Sequence, residues 1–469
     1  MEQLTTLDAG FLKAEDADRH VSLAIGGLAV IEGPIPDRHA LMSTLAQRVH
    51  GCPRFGQRLR MRPFDFGAPE WVDDAGFDLA HHVRHIAVPQ PGDDRELFQL
   101  AADVISRRLD RDRPLWEIWV IEGLTDNRWA MLTKIHHCMA DGIAVTHMLA
   151  GLCDDGISDS FSSHIRGAKA PKAQGVLQAM WGVNPLTLLG GLWNASAAIT
   201  ATAGRTALGA AEIAAGLLRP ASSSLNGPIT NLRRYSAARV PLVDIEIVCR
   251  AFDVTINDVA LAALTESYRN ILIRRGEQPM VDALRALVPV SMRSVDAFDQ
   301  TDNRVSVMLP YLPVEEENPV QRLRIVHLRL DRTKSSGQRQ AGHVFVSVAN
   351  RIPFALTAWT MRLLTRLPQR GVAILATNVP GPRQPLHIMG QRVLGVFPVP
   401  PIAMQLRTGV AMLSYAEDLY FGILADYDAA ADVDELARGI EVAVARLVAS
   451  SKRRKPARDH RGLSLVVNV

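Results

Sequence analysis

LWEIWVIEGL-TDN-RWAMLTKIHH-CMADG, residues 115–142, is the stretch that decides the fold. Two runs rich in β-branched and aromatic residues, 115–124 and 128–137, predict adjacent strands joined by a turn at Thr125-Asp126-Asn127. Asp141-Gly142 then opens a predicted helix. The stretch therefore predicts a mixed α/β lobe in which a strand ends, and a helix begins, at HHCMADG.

The flanking chain extends this pattern into two lobes. Buried strands and amphipathic helices are predicted on the N-terminal side at 21–30, 38–49, 77–88 and 96–109. A second α/β lobe follows, with a helix at 257–275 capped by Asn257 or Asp258. Further strands are predicted at 284–290, 304–309, 372–378, 393–399, 408–415 and 419–427, before a closing helix at 433–450. We therefore divide the chain into lobes 1–160 and 235–450, a linker 161–234 and a basic tail 451–469.

The linker is unusual because residues 173–204 contain no charged side chain. The length is sufficient to span a bilayer, but many small polar residues lower its hydrophobicity. Helices packed between the lobes or lying at a membrane surface are the favoured interpretation. The basic tail is either a solvated terminus or a segment attracted to anionic lipid.

Composition excludes several classes of protein. Lys plus Arg number 52 and Asp plus Glu number 49, a balance that argues against a nucleic-acid binder driven by bulk charge. The four cysteines show no metal-binding spacing, so a reducing cytoplasm is expected and a disulfide framework is not. The first residues are acidic and lack an apolar core, so no signal peptide is predicted.

The histidine pair is the main candidate for chemistry. Adjacent residues on a strand point to opposite sides, so His136 and His137 cannot easily serve one substrate and one of them should be structural. A histidine near its ordinary pKa of about 6.5 suits the deprotonation of an alcohol that attacks a thioester. Asp141 is better placed as an organiser of the loop, and Gly142 lets the chain turn tightly.

The residues alone leave other interpretations of this segment open. A histidine is often a satisfied core residue, and a His pair with Asp can bind a metal, although diverging side chains make a metal site the weaker alternative. A second pair, His81-His82, has no Asp-Gly after it and is interpreted as structural. No G-x-S-x-G nucleophile elbow, Walker A loop, G-x-G-x-x-G or H-E-x-x-H occurs.

HHCMADG resembles the HHxxxDG motif of the CoA-dependent acyltransferase superfamily. Other segments narrow the resemblance to the bacterial wax ester synthase/acyl-CoA:diacylglycerol acyltransferase family, especially its mycobacterial triacylglycerol synthase branch. They are LDAGFLKAEDADRHVSLAIGGLAVIEGP (7–34), RPLWEIWVIEGL (113–124), TINDVALAAL (255–264), LVPVSMR (287–293), TNVPGP (377–382) and SYAEDLYFGILADYD (414–428). The resemblance implies an α/β fold of two chloramphenicol-acetyltransferase-like lobes, each a mixed sheet with flanking helices, and an active-site tunnel at their interface.

The resemblance also implies roles for single residues. His137 would be the base, His136 its support, and Asp141 a structural acid paired with a buried arginine. Arg293 is the first candidate for that partner and Arg113 the second, because an unpaired buried carboxylate is costly. Asn257-Asp258 resembles the family's ND motif, which implies a part in activity; a helix cap is the alternative role, and the two roles are compatible. Asn378 is predicted either to steady the oxyanion or to form a turn, and Pro114 to Glu117 to pack.

The function implied by the resemblance is transfer of an acyl group from long-chain acyl-CoA to diacylglycerol, giving triacylglycerol. Acyl-CoA is then a co-substrate, and neither a cofactor nor a metal is expected. The alternatives are a wax ester synthase, which acylates a long-chain alcohol, and a non-catalytic lipid-binding protein of lipid droplets. The expected location is the cytoplasm, at the inner membrane face or at lipid droplets, without nucleic acid.

Overall fold

The computed structural model describes residues 2–62, 67–140, 142–154, 223–291, 305–335, 371–403 and 405–453. Several predictions fall outside these ranges, namely those for Asp141, Arg293, most of the linker with its uncharged stretch 173–204, and the tail beyond residue 453.

The described residues form helices and strands that we number along the chain. The helices are α1 (Thr6–Ala17), α2 (Arg38–His50), α3 (Asp94–Ser106), α4 (Gly142–Gly151), α5 (Leu242–Phe252), α6 (Ile256–Arg274), α7 (Pro319–Ser335) and α8 (Val433–Arg453). The strands are β1 (Ala24–Glu32), β2 (Gln57–Arg60), β3 (Glu70–Asp73), β4 (Val83–Ala87), β5 (Trp116–Leu124), β6 (Arg128–His136), β7 (Arg233–Pro241), β8 (Leu284–Ser291), β9 (Val305–Met308), β10 (Tyr311–Leu312), β11 (Ile374–Val379), β12 (His387–Ile388), β13 (Gln391–Val399), β14 (Thr408–Tyr415) and β15 (Asp418–Asp426).

The first sheet has the strand order β12-β13-β1-β6-β5-β4. The predicted neighbours β5 and β6 pair antiparallel, with Ile118 opposite Thr133. Their turn is tight because Asp126 and Asn127 both adopt positive φ, at 60° and 51°, a conformation that Asp and Asn tolerate better than most residues. The sequence prediction for this hairpin is confirmed.

Two adjacent glycines let helices cover both faces of β1. A side chain at Gly26 would meet Ile105 of α3 at 3.2 Å, and one at Gly27 would meet Leu149 of α4 at 3.4 Å. The α4 helix follows directly on the histidine segment. Its close packing against β1 therefore fixes the position of the C-terminal end of that segment. The β1 strand is buried along almost all its length, as a sheet covered on both faces requires.

The second sheet has the order β10-β8-β11-β14-β15-β7, with β9 beside β8. The β11 strand runs parallel to both β8 and β14, whereas β14, β15 and β7 are antiparallel neighbours. Helices α5, α6 and α8 pack against one another beside it. A third, two-stranded sheet is formed by β2 and β3. The mixed α/β architecture with two large sheets is as predicted.

The two sheets are joined by an exchange of chain. The β13 strand comes from the second half of the sequence, yet it pairs with β1 in the first sheet, with Gly27 opposite Pro398. The Tyr235 hydroxyl of the second sheet donates to the Pro398 carbonyl at 2.9 Å. Gly422 makes room for this contact, because an added Cβ would lie 1.6 Å from the Pro398 oxygen. The predicted C-terminal lobe 235–450 therefore contributes a strand to the first sheet, which the predicted lobe boundaries do not take into account.

Several local predictions need correction. The helix predicted from Asn257 begins at Ile256 and is capped by Thr255, because Thr255 and Asp258 form a reciprocal capping box. The region predicted as a strand at 77–88 contains a short 3₁₀ turn, Leu79–His81, before the shorter strand β4. Within the described ranges, none of the helices has the length and apolar character needed to cross a membrane.

Candidate active site

The histidine pair lies at the end of β6, between the neighbouring strands. The His136 N–H donates to the Leu115 carbonyl at 2.9 Å, and the His137 N–H donates to the Leu23 carbonyl at 2.9 Å. The two side chains differ in burial. His136 is buried, with 1% of its surface exposed, whereas His137 is only partly buried. Of the two imidazoles, His137 is therefore the more exposed.

The hydrogen bonds of His136 identify its tautomer. Its Nδ1 accepts the backbone N–H of Cys138 at 3.1 Å, so Nδ1 carries no proton. In a neutral ring the proton is then on Nε2, which lies 3.5 Å from a carboxylate oxygen of Glu15. A ring with one nitrogen already bonded and the other already protonated has no free site for a further proton. His136 is thus unsuited to act as a base.

Glu15 is a buried anion with three kinds of partner. Arg111 donates to it at 2.7 Å, the Leu23 N–H donates at 3.0 Å, and His136 faces it. Burial by itself would raise the pKa of Glu15, but the contacts with His136, Arg111 and Leu23 outweigh burial and lower this pKa to about 2. Glu15 is therefore charged at neutral pH and stabilises the Nε2–H form of His136.

Two side chains of α1, a helix that the sequence pattern did not reveal, contact the histidines. The Phe11 ring is stacked on the His137 imidazole, with ring centroids 4.2 Å apart and an interplanar angle of 28°. Glu15 lies one turn further along and reaches His136. The sequence signal that marks this helix is Thr5-x-x-Asp8, since the Thr5 side chain accepts the Asp8 N–H and caps the first turn.

A buried cation, Lys134, lies two residues before His136 on β6. Its ammonium group donates to the carbonyl oxygens of Val104 at 2.9 Å and Arg107 at 2.6 Å. Burial lowers its pKa to about 8, although the Glu117 carboxylate 3.9 Å away acts in the opposite direction. Side chains two apart on a strand share a face, so Lys134 and His136 belong to the same buried polar layer.

The remaining predicted site residues form a second group on α6 and β11. The Asn378 side-chain amide lies 3.5 Å from the Asn257 oxygen, so the structure brings these two together. Asp258 is fully buried, and its Oδ2 accepts the Thr255 N–H at 2.8 Å and faces the His327 ring at 2.9 Å. Asp258 thus has the helix-capping role that was considered as an alternative, together with a histidine contact that the sequence did not reveal.

Arg113 does not fit the buried arginine that was predicted as the second candidate partner of Asp141. Its side chain is 43% exposed and pairs with Asp110 at 3.3 Å. The segment that follows it packs, as predicted, because Leu115 and Trp116 are fully buried and the Trp116 indole donates to the Phe55 carbonyl at 2.8 Å.

His82 of the second histidine pair is a packing residue. Its ring is stacked on Trp116 at 4.5 Å between centroids, and its Nδ1 donates to the Trp116 carbonyl at 2.8 Å. Burial lowers the pKa of His82, which favours the neutral ring. Of the two pairs, only His136-His137 combines a partly exposed imidazole, His137, with a buried imidazole, His136, that faces the Glu15 carboxylate.

Comparison with known proteins identifies the family of the chain. Residues 4–260 match the wax ester synthase/diacylglycerol acyltransferase catalytic domain, and residues 301–447 match the WS/DGAT C-terminal domain. The chain is 67% identical over 467 residues to a probable diacylglycerol O-acyltransferase (tgs1) of Mycobacterium tuberculosis, covering 100% of both chains. A putative diacylglycerol O-acyltransferase of that organism is 46% identical, covering 96% of this chain and 92% of the relative.

Solved structures agree with these sequence matches. A wax ester synthase/diacylglycerol acyltransferase from Marinobacter aquaeolei VT8 has a TM-score of 0.66 at 25% identity, covering 96% of this chain and 100% of that chain. The first condensation domain of the CDA synthetase has a TM-score of 0.58 at 15% identity, covering 96% and 98%, which shows a shared fold. The chain belongs to the wax ester synthase/diacylglycerol acyltransferase family.

Proposed function

We propose that this protein is an acyl-CoA:diacylglycerol O-acyltransferase that makes triacylglycerol with His137 as general base. The names of the relatives at 67% and 46% identity support the activity and the diacylglycerol acceptor. The observation that carries the assignment of the base is the difference in burial between the two histidines. One imidazole is buried and bonded at Nδ1, and the other is partly exposed at the end of the same strand.

The proposed reaction is a direct transfer. His137 accepts the proton of the free glycerol hydroxyl as its oxygen attacks the thioester carbonyl carbon. A C–O bond forms, the tetrahedral intermediate collapses and the C–S bond breaks. The leaving CoA thiolate takes the proton from the histidinium, so the products are triacylglycerol and CoA thiol. The thioester is already activated, so no acyl-enzyme is required.

The other predicted site residues keep their proposed roles. Gly142 is the first residue of α4, and Asp141 is proposed to order the loop before it. Asn257 and Asn378, 3.5 Å apart, are proposed to contact substrate, with Asn378 helping to steady the oxyanion. Asp258 would act through its capping of α6, and Arg293 remains the proposed partner of Asp141.

The substrates suggest where the enzyme acts. Diacylglycerol and long-chain acyl-CoA are both amphipathic, and diacylglycerol resides in lipid phases. We therefore propose peripheral association with the inner membrane face or with lipid droplets. Residues 173–204, which carry no charge, and the basic tail are the segments proposed to touch lipid.

The test compares single histidine variants with radiolabelled acyl-CoA, offering diacylglycerol and hexadecanol in parallel reactions. His137→Ala should lower transfer by at least about 10²-fold, the usual contribution of a general base, with an unchanged circular dichroism spectrum. His39→Ala, an exposed histidine on α2, is the matched control and should leave transfer unchanged.

Three outcomes would contradict the proposal. Transfer near the wild-type rate by folded His137→Ala would remove this residue as the base. A wild-type enzyme that esterifies hexadecanol and leaves diacylglycerol untouched would make wax ester synthesis the function. Absence of transfer to either acceptor would favour a lipid-binding protein.

A further inference from the structure

We propose that α1 positions the histidine pair, with Phe11 holding the ring of His137 and Glu15 holding the ring of His136. This inference rests on the proposed function, since it assigns positioning residues to the same reaction. Phe11 and Glu15 are four residues apart, the spacing at which two side chains of a helix lie on one face. One helix therefore contacts both histidines at once.

The Phe11 contact orients an imidazole without blocking its chemistry. The two rings are stacked with 28° between their planes, so Phe11 covers one face of His137. The lone pair that accepts a proton lies in the plane of the imidazole, at its edge, and not on the face that Phe11 covers. Phe11 itself packs with Val21, Leu23, Ile229 and Ala403, a cluster that joins α1 to the start of β1 and to the second half of the chain.

The Glu15 contact fixes the other ring. The carboxylate is 2% exposed and faces Nε2 of His136, while the Cys138 N–H occupies Nδ1. The ring is thus hydrogen-bonded at Nδ1 and faces a carboxylate at Nε2. Because His136 and His137 are consecutive residues, a fixed His136 also fixes the backbone from which His137 projects.

The helix is itself anchored, as a positioning element must be. Arg111 pairs with Glu15 at 2.7 Å and with Asp16 at 2.7 Å. Arg108 donates to the carbonyl oxygens of Glu15 and Asp18, near the C-terminal end of the helix, where cations are favoured. Both arginines come from the segment between α3 and β5, so α1 is tied to the sheet that carries the histidines.

The experiment uses the full-length protein with three variants of α1 and a packing control. Phe11→Leu removes the aromatic ring and keeps an apolar side chain, and Phe11→Tyr restores the ring. Glu15→Gln keeps the shape and removes the charge. The control is Leu12→Val, which disturbs the buried packing of the same helix. The kcat, the KM for acyl-CoA, the pH profile of kcat/KM and the Tm are measured for each.

Positioning predicts a specific pattern. Phe11→Leu should lower kcat about tenfold with KM changed less than about twofold, because orientation acts on the transition state. The acidic limb of its pH profile should move to lower pH, because a protonated imidazole loses its attraction to the aromatic face. Phe11→Tyr should recover both readouts, and Glu15→Gln should lower kcat by about tenfold to a hundredfold.

Leu12→Val should lower the Tm and leave kcat and the acidic limb unchanged. The proposal is overturned if Phe11→Leu and Glu15→Gln both keep the wild-type kcat and pH profile, or if Leu12→Val reproduces their changes. His137→Ala is assayed alongside to separate this inference from the proposed function. If His137→Ala is inactive while Phe11→Leu and Glu15→Gln behave as wild type, only the role of α1 fails. If folded His137→Ala keeps transfer, the proposed base fails.

Discussion

Glu15 in the first lobe and Glu266 in the second are both buried carboxylates that contact two basic side chains. Glu15 contacts Arg111 at 2.7 Å and His136 at 3.5 Å. Glu266, in the middle of α6, contacts Arg322 of α7 at 2.5 Å and also pairs with Arg446 of α8. In each case the partners offset much of the cost of removing a charge from water.

The difference lies in the chemistry of the partners. The guanidinium groups of Arg322 and Arg446 stay charged at every physiological pH, so Glu266 controls no protonation state. Its contacts with them join the three helices α6, α7 and α8. The imidazole beside Glu15 has two distinct nitrogens, and the carboxylate selects the one that carries the proton. The ion cluster around Glu266 is therefore structural. The cluster around Glu15 belongs to the proposed site, because one of its partners is the histidine next to the proposed base.

The largest expected effect on stability belongs to Glu266. Glu266→Gln leaves the Arg322 guanidinium, which is 2% exposed, without a compensating charge. Breaking a buried pair in this way should lower the free energy of unfolding by about 3–5 kcal/mol, measured by urea denaturation. The KM and the pH profile of the folded fraction should stay at wild-type values.

Glu122→Gln, an exposed position on β5, is the control and should change little. A shifted pH profile of kcat/KM in Glu266→Gln would show that the Glu266 cluster also influences catalysis, and would contradict the difference proposed between the two clusters.

Arg111→Met tests whether the Glu15 cluster combines both roles. The change removes the partner of Glu15 and Asp16, and Arg111 is 28% exposed, so we expect a loss of about 2 kcal/mol. In contrast with Glu266→Gln, kcat should also fall, by about tenfold, because Glu15 would no longer be held against His136. Arg446→Met removes the 53% exposed partner of Glu266 and should lower stability by less than about 1 kcal/mol, with kcat unchanged. Equal kcat values for these two variants would contradict the comparison.

The sequence was sufficient where local pattern and local geometry agree. The β5–β6 hairpin follows from the alternation along its two strands, and its Asp126-Asn127 turn follows from the turn-forming residues between them; both are observed. Likewise the predicted strand 408–415 matches β14 residue for residue. These features depend on neighbours in the chain, which a sequence displays directly.

The sequence was insufficient where the partner is distant. Nothing in residues 391–399 indicates that this strand pairs with β1, because a buried strand has the same composition whichever sheet it joins. The role of Glu15 was hidden for the same reason, since its partners Arg111 and His136 lie about a hundred residues away. The α1 helix was missed although Thr5-x-x-Asp8 marks its start, because its acidic residues suggested only the absence of a signal peptide.

Acid should weaken the Glu15 cluster. The pKa of Glu15 is lowered from 4.5 to about 2 in the folded protein, so its contribution is complete above pH 4.5 and is lost as pH falls toward 2. From pH 6 to pH 3, wild type should therefore lose about 2 kcal/mol more than Glu15→Gln does. The measurement is the urea midpoint of both proteins at each pH. Parallel losses in the two proteins would show that Glu15 is not the titrating group.

Lys134 should give the smallest effect, with the opposite dependence on pH. Burial lowers its pKa from 10.5 to about 8, so between these values the unfolded chain binds more protons than the folded one. Stability attributable to this residue therefore rises with pH in that window. Relative to Lys134→Met, wild type should gain about 1 kcal/mol from pH 7 to pH 9. Near pH 7 the two should differ by less than about 1 kcal/mol, because the variant loses the bonds to Val104 and Arg107 but no longer buries a charge. A flat difference across this range would show that the Lys134 ammonium does not titrate there and that its environment is as fully paired as that of Arg322.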